Sequence, residues 1–308
     1  MSEAVPAATG EVIRSGTARG RLLLAASAVL FGSMFVPAQR ALEDLTPAGA
    51  TSLRFLVATL AVVPFCRRDG AELRSRRSIY LTAGLVAGGA NTVGFLLQSL
   101  AMQRTSASST AFLASLFVIF VPLFTAVISR RRPSWWIIGG IVLAVFGSFL
   151  LTGATLDVNP GDLLSLSAAV AGACHVMLIG YFATRLQASP FNLAQMGMVA
   201  VLAGAIALVT GFGTLTAPAA LAILYLGVAQ AAGLGLQVVA QREVDPTSSA
   251  LILLLIPVVG AVMAVALLDD PVSMQRVLGA VLVIAAVLLA EVVPSRRAAA
   301  VRGAETLS

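Results

Sequence analysis

Charged side chains are scarce in this sequence. Asp, Glu, Lys and Arg make up only 11% of its 308 residues, whereas 58% are hydrophobic and the mean hydropathy is +0.96. A soluble domain does not need so much apolar material, so the composition indicates a polytopic membrane protein. Lysine is absent, and the 20 basic residues are all arginines.

Cysteine and histidine are equally scarce. Cys66 and Cys174 lie in different apolar segments, and His175 is the only histidine. Two cysteines without metal-ligand spacing indicate neither a disulfide framework nor a zinc site. Every Asp and Glu lies in a tail, in a loop or near the end of an apolar run, with Glu291 the nearest exception. The sequence therefore predicts no metal or other cofactor, and it offers no general acid/base pair for a membrane-embedded enzyme.

Ten apolar runs fill most of the chain. A helix of about 20 residues matches a hydrocarbon core about 30 Å thick, because the rise is about 1.5 Å per residue. We therefore predict an all-α polytopic membrane protein with ten transmembrane helices, named spans 1 to 10. Their predicted bounds are 22–42, 47–65, 79–102, 106–128, 135–152, 163–184, 191–212, 218–240, 247–268 and 272–293.

The ten spans divide into two sets of five. The first repeat is predicted at residues 21–153 and the second at 161–293, with an N-terminal tail at 1–20 and a C-terminal tail at 294–308. Because five is odd, the second set enters the membrane from the opposite side. Two halves with one fold then form an inverted repeat, an arrangement that many secondary transporters build around a site near the bilayer midplane.

The internal similarity of the two halves is weak. A shift of about 140 residues aligns the sequence TSAS at 105–108 with TSSA at 247–250. A secretory signal peptide is the alternative for span 1, since two arginines precede an apolar run that reaches the small residues VPA at 36–38. The membrane span is favoured because this segment has a counterpart in the second half.

Most arginines fall on one side of the predicted membrane. With the N-terminus in the cytoplasm, cytoplasmic segments hold 16 of the 20, and only Arg40, Arg104 and Arg276 lie outside. The positive-inside rule therefore predicts that both termini are cytoplasmic. Since this distribution reflects membrane topology, the pI of about 10.6 does not indicate a nucleic-acid partner.

Amide side chains inside the apolar spans mark a candidate site. Span 3 carries Asn91 and Gln98 seven residues apart, with Phe95 on the same helical face, and span 8 carries Gln230 and Gln237 at the same spacing. Seven residues are close to two helical turns, so each pair projects in one direction. We predict that both pairs face a central cavity and bind a polar solute. The alternative is that the amides join packed helices.

Five further residues are candidates for binding or gating. His175 in span 6 is predicted to bind a solute carboxylate or to titrate during transport, and the alternative is a neutral imidazole bonded to a neighbouring helix. Tyr181 is a weaker substrate-binding candidate. Arg54 in span 2 is predicted to be structural, through a hydrogen bond or by reaching toward the outer interface, with attraction of a carboxylate as the alternative. Pro122 and Pro257 are predicted to kink spans 4 and 9, and such kinks could act as gates.

Short motifs from residue 22 to residue 291 resemble the EamA-type branch of the drug/metabolite transporter superfamily. The matching pieces are FGS at 31–33, LTPAGATSLRF at 45–55, TSAS at 105–108, the Gly-rich start of span 5, PTSSA at 246–250, LIP at 255–257 and Gly279. The resemblance implies an alternating-access transporter whose cavity is lined by spans 1–4 and 6–9, with spans 5 and 10 peripheral. It also implies export of amino acids or similar small metabolites. We expect the chain to act as a monomer in the lipid bilayer of the bacterial inner membrane.

Several other functions stay open at this point. Import or exchange of sugars and multidrug export occur in related families. The scarcity of charge in the spans favours a neutral or zwitterionic small-molecule substrate over a multivalent anion. A channel is disfavoured, because the sequence shows no repeated filter and no ring of charges.

Overall fold

The computed structural model describes residues 17–67, 69–105, 107–130, 132–153, 159–268 and 273–305. Within these ranges nine helical segments are long and apolar enough to cross a membrane, and Met274–Leu289 is a shorter apolar stretch. No strand is present there apart from an isolated bridge between Leu45 and Gly213. The predicted all-α polytopic membrane protein is confirmed. Residues 1–16 of the predicted N-terminal tail, residues 306–308 of the C-terminal tail and Ser106 of the TSAS motif lie outside the described residues.

Helices follow one another along both halves of the chain. The first half contains α1 (Ala18–Ser33), α2 (Phe35–Asp44), α3 (Pro47–Val62), a 3₁₀ helix (Val63–Arg67), α4 (Gly70–Ser75), α5 (Arg77–Met102), α6 (Ala107–Ser115), α7 (Phe117–Ser129) and α8 (Trp135–Thr152). The second half contains α9 (Pro160–Ala183), α10 (Ala188–Thr210), α11 (Ala217–Ala240), α12 (Pro246–Leu253), α13 (Leu255–Leu268) and α14 (Met274–Glu305). The short helix α4 lies in the Arg-rich loop after span 2, and α14 continues beyond the predicted end of span 10.

Helix starts follow local capping signals. Asn159 caps α9 by accepting hydrogen bonds from the backbone of Gly161 and Asp162, while the Asp162 carboxylate accepts from the Asn159 backbone. Asp245 caps α12 by accepting hydrogen bonds from the backbone of Thr247 and Ser248. A proline follows each of these two caps. Proline suits the first turn because its missing N–H has no helical acceptor there. These starts are therefore specified by the local sequence.

Spans 1, 4 and 9 are each broken into two helices by one non-helical residue. The breaks fall at Met34, Leu116 and Leu254, and the backbone N–H of each donates to a carbonyl three residues earlier. A proline inside a helix removes one backbone hydrogen bond, and its ring clashes with the carbonyl four residues earlier. Leu254 lies three residues before Pro257, so this proline accounts for the break in span 9. Leu116 lies six residues before Pro122, which is too far for the same effect. The predicted gating by these prolines stays a prediction.

The two halves interlock through their membrane helices. Helix α5 packs against α9 and α10, and α3 packs against α10 and α11. Helix α1 packs against α11 and α13. Every residue that lines the central cavity lies on spans 1–4, 6, 8 and 9, so neither α8 nor α14 reaches it.

Helices α8 and α14 pack closely on each other. A Cβ atom on Gly279 would lie 2.3 Å from the backbone N of Leu151, and one on Gly147 would lie 2.8 Å from the backbone N of Val283. Only glycine allows backbones to approach this closely. The glycines of these spans therefore allow α8 and α14 to pack closely.

Hydrogen bonds between loops and helix ends group the termini of the spans at two faces. At one face Arg242 donates to the Leu186 carbonyl (2.9 Å), and Thr17 and Arg19 both donate to Glu243. We call this the Arg-rich face. At the opposite face the loop between α2 and α3 pairs with the loop between α10 and α11, and Thr105 donates to Asp162 (2.8 Å).

Candidate functional site

A central cavity of about 270 Å³ lies between the two halves. It reaches the face opposite the Arg-rich face, because its walls include Leu42 near the end of α2 and Met102 at the end of α5. The walls are mainly apolar and aromatic, with a small number of polar groups. Such a lining suits a small solute that has both apolar and polar parts.

The four predicted amides all line this cavity, but they differ in their partners. Asn91 and Gln98 on α5 make no hydrogen bond to any described residue, and Asn91 Nδ2 is buried without a partner. Gln230 on α11 accepts a hydrogen bond from Arg54. Asn91 and Gln98 are therefore the two of the four amides without a partner among the described residues, and solute binding by them stays a prediction.

Gln237 belongs to a hydrogen-bonded chain that leads from the cavity toward the Arg-rich face. Its Nε2 donates to Gln241 Oε1 (3.2 Å), and Gln241 Nε2 donates to the Val176 carbonyl on α9 (3.1 Å). Gln241 lies one turn nearer the Arg-rich face and does not line the cavity. Both glutamines are buried. Gln241 therefore joins the end of α11 to α9, and Gln237 supports Gln241 from the same helix. This support of packing corresponds to the alternative that the sequence left open.

The guanidinium of Arg54 points into the cavity. Its Nη2 donates to Gln230 Oε1 and lies 3.8 Å from Met34 Sδ, and its Cζ is 4.4 Å from the ring centroid of Phe95. A cation over an aromatic face is attracted by the ring quadrupole. The predicted structural hydrogen bond is present, but the side chain does not extend toward the outer interface. The reason is that Gln230 and Phe95 offer it partners at the cavity wall.

His175 lies on α9 and is held by a second layer of amides on α10. Its Nε2 is 3.0 Å from Gln195 Oε1, and Gln195 Nε2 donates to Asn192 Oδ1 (2.7 Å). Because an amide oxygen can only accept, Nε2 carries the proton in the neutral imidazole and Nδ1 remains an acceptor. Nδ1 has no hydrogen-bond partner among the described residues.

Two predicted residues lie away from the cavity. Tyr181 is 53% exposed and its ring lies under the guanidinium of Arg185, 3.8 Å from Cζ, near the Arg-rich end of α9. Tyr181 lies on a different face of α9 from His175 and points away from the cavity, so it is not positioned to bind a solute there. Pro122 is buried within α7 but does not line the cavity, whereas Pro257 does.

Sequence reasoning missed the residues that support the site from behind. Asn192 and Gln195 are spaced three apart in span 7, and Gln195 has no exposed surface. Their signal was the same as that of the four predicted amides, a polar side chain within an apolar span. Span 7 therefore contributes to the site through His175 and does not line it directly. Among the described residues no group of His, Cys, Asp or Glu could hold a metal ion.

The fold and the cavity define a polytopic membrane protein with one central chamber for a small solute. The model of the EamA-like transporter family matches residues 18–153 and 159–291. These two matches cover more than half of the chain, which therefore belongs to the EamA-like transporter family. The family recognised from the short motifs is confirmed.

Individual relatives are distant. The chain is 25% identical over 279 residues to a probable amino-acid metabolite efflux pump of Escherichia coli (strain K12), covering 83% of this chain and 89% of that relative. It is also 25% identical over 286 residues to an uncharacterized transporter of Archaeoglobus fulgidus, covering 87% of this chain and 96% of the relative. With a further uncharacterized transporter of the same organism it shares 25% identity over 159 residues, and the match spans about half of that relative, 48%.

A solved crystal structure has a similar fold. The TM-score is 0.76 at 16% sequence identity, and the match covers 90% of this chain and 98% of the other chain. A likeness at this identity supports the fold alone.

Proposed function

We propose that this transporter moves amino acids or similar small neutral or zwitterionic metabolites across the bacterial inner membrane, in the direction of export. The observation that carries the proposal is the lining of the cavity. It combines apolar walls with free amides and one guanidinium, and none of its described residues is a carboxylate. The Escherichia coli relative, a probable amino-acid metabolite efflux pump, agrees with such a solute.

The proposed mechanism is alternating access between two inverted repeats, 21–153 and 161–293. Two features of the structure support it. The cavity reaches one face, whereas toward the Arg-rich face its lining ends at Gln237 and the next turn of α11 carries the buried Gln241. In two related halves span 3 corresponds to span 8, and span 6 corresponds to span 1. The contact of α5 (span 3) with α9 (span 6) accordingly has a counterpart in the contact of α11 (span 8) with α1 (span 1). Rocking of the halves would open the closed end and close the open one.

The same proposal includes the topology and the assembly. We propose that both termini lie in the cytoplasm. Loops rich in arginine favour the cytoplasmic side, and this orientation puts the Arg-rich face there. A single chain surrounds the cavity with helices from both halves, so a monomer is sufficient for transport. The chain is taken to be a transporter and not an enzyme.

Uptake into liposomes that contain the purified protein tests the solute class. The probes are radiolabelled neutral amino acids, a hexose and a cationic dye, each with and without a pH gradient. The expected result is saturable uptake of several amino acids that is absent from protein-free liposomes. Uptake of the hexose or the dye alone, by protein shown to be folded, would replace the proposal with sugar transport or multidrug export.

A second measurement tests the direction. Cells that express the chain are loaded with a dipeptide, which they hydrolyse to the free amino acid. Export predicts a lower intracellular peak and faster appearance of the amino acid outside than in cells without the chain. Equal time courses, in cells whose membranes contain the folded protein, would contradict export.

A further inference from the structure

We propose that Arg54 and Asn91 form a subsite for one carboxylate group of the solute. This inference rests on the proposed function, because it concerns the same cavity. It goes further by naming the chemical group that the solute must carry. The sequence alone favoured a purely structural Arg54, and the proposal reverses that preference.

The first argument is the unbalanced charge of Arg54. Its guanidinium lies in the membrane region of the fold, yet it forms no ion pair with any described residue. Its contacts are all neutral: the Gln230 amide oxygen, the Met34 sulfur and the rings of Phe55 and Phe95. A charge removed from water is strongly disfavoured unless an opposite charge compensates it. The described residues offer Arg54 no opposite charge, and an anionic group of the solute would supply one.

The second argument is unused hydrogen-bonding capacity. Arg54 Nε is buried and has no hydrogen-bond partner among the described residues, and the same holds for Asn91 Nδ2. Native proteins leave few buried polar atoms unsatisfied, and those that remain often belong to functional sites. Both atoms are donors without accessible surface, so they can pair with an acceptor of the solute once their side chains rotate toward the cavity.

The third argument is that these two donors belong to one part of the cavity. Phe95, whose ring lies beneath the Arg54 guanidinium, is one helical turn from Asn91 on α5. Residues four apart lie on the same helical face. Phe95 and Asn91 therefore lie on one face of α5, and Arg54 contacts that face through the Phe95 ring. A guanidinium and an amide N–H on the same wall of the cavity can each donate to a carboxylate oxygen.

The number of cations sets the charge of the solute. Arg54 is the only Arg among the described residues that line the cavity, and none of those residues is Asp or Glu. One cation neutralises one carboxylate, whereas a phosphate would need more positive charge. A cationic solute would meet Arg54 with no compensating anion. The geometry thus points to a solute that carries one carboxylate and no second anionic group.

Three matched probes test the subsite on the unmodified protein in liposomes. Labelled L-leucine carries both charged groups, L-leucinamide lacks the carboxylate, and 4-methylpentanoate lacks the amine. We expect leucinamide to compete with leucine about 10-fold or more weakly than unlabelled leucine does, because hydrogen bonds to charged groups contribute more than neutral ones. Equal competition by leucine and leucinamide would overturn the subsite while leaving amino-acid transport in place.

The third probe separates the two proposals. Uptake of 4-methylpentanoate without uptake of any amino acid would support the carboxylate subsite and contradict the proposed solute class. Absence of uptake of both acids, with transport of the hexose or the dye, would overturn both proposals.

Variants then assign the effect to the residue. Arg54→Gln removes the charge but keeps donors for Gln230, and we expect it to raise the KM for leucine about 10-fold or more and to abolish the preference for leucine over leucinamide. The matched control is Arg185→Gln, since Arg185 also lies over an aromatic ring but is outside the cavity. Unchanged KM and unchanged preference in Arg54→Gln would refute the assignment. The comparison of probes on the unmodified protein remains decisive if this variant does not fold.

Discussion

The contrast between Gln98 and Gln237 separates solute binding from helix packing. Both side chains line the cavity and both are glutamines, but only Gln237 has a hydrogen-bond partner among the described residues, Gln241 at 3.2 Å. Gln98→Ala should therefore change transport and leave stability almost unchanged. Gln237→Ala should change stability first.

The expected magnitudes follow from these partners. Truncating Gln237 leaves the buried Oε1 of Gln241 without a donor, which costs about 1–3 kcal/mol in soluble proteins, and measured hydrogen bonds between membrane helices average about 0.6 kcal/mol. We expect a destabilisation of about 1 kcal/mol for Gln237→Ala and of less than about 0.5 kcal/mol for Gln98→Ala. Loss of one neutral hydrogen bond to the solute is about 0.5–1.5 kcal/mol, so KM should rise about 2- to 12-fold in Gln98→Ala.

The assay measures unfolding in detergent and uptake kinetics in liposomes for both variants. Equal amounts of folded protein, judged by size-exclusion chromatography, make the KM values comparable. The reasoning is refuted if Gln98→Ala unfolds as easily as Gln237→Ala, or if its KM equals that of the unmodified protein. The first result would mean that Gln98 has a packing role, and the second that it does not bind the solute.

Three further predictions follow from the packing and the topology. Gln195→Leu should destabilise the fold by about 1–3 kcal/mol and raise KM, because Asn192 and His175 both lose a partner, and unchanged unfolding and kinetics would contradict this support role. Gly279→Ala should destabilise the fold by about 1–3 kcal/mol, because the new Cβ meets the Leu151 backbone. The control is Gly89→Ala, where a Cβ has open space. Equal unfolding temperatures of the two variants would show that α8 and α14 can separate freely. In a protein whose two native cysteines are replaced by serine, a membrane-impermeable maleimide should label Arg104→Cys but not Arg185→Cys in intact cells, and the reverse pattern would invert the proposed topology.

The sequence by itself determined the class of protein. Apolar runs of membrane-spanning length predict the helices because each span must satisfy its own backbone hydrogen bonds in lipid. Capping residues such as Asn159 and Asp245 and the prolines that follow them place helix starts, since these effects act within one turn. The amides, His175 and Arg54 were recognisable because a polar group within an apolar span requires a partner.

Only the tertiary structure decided what those polar groups contact. Arg54 and Gln230 are 176 residues apart in sequence, and His175 meets Gln195 on another helix. The rotation of each helix, which turns Tyr181 away from the cavity and Arg54 into it, depends on packing against helices from the other half. Periodicity within a single span carries no information on those neighbours. Which amides have no partner, and that Arg54 has no ion pair among the described residues, follows only from the packing of the two halves.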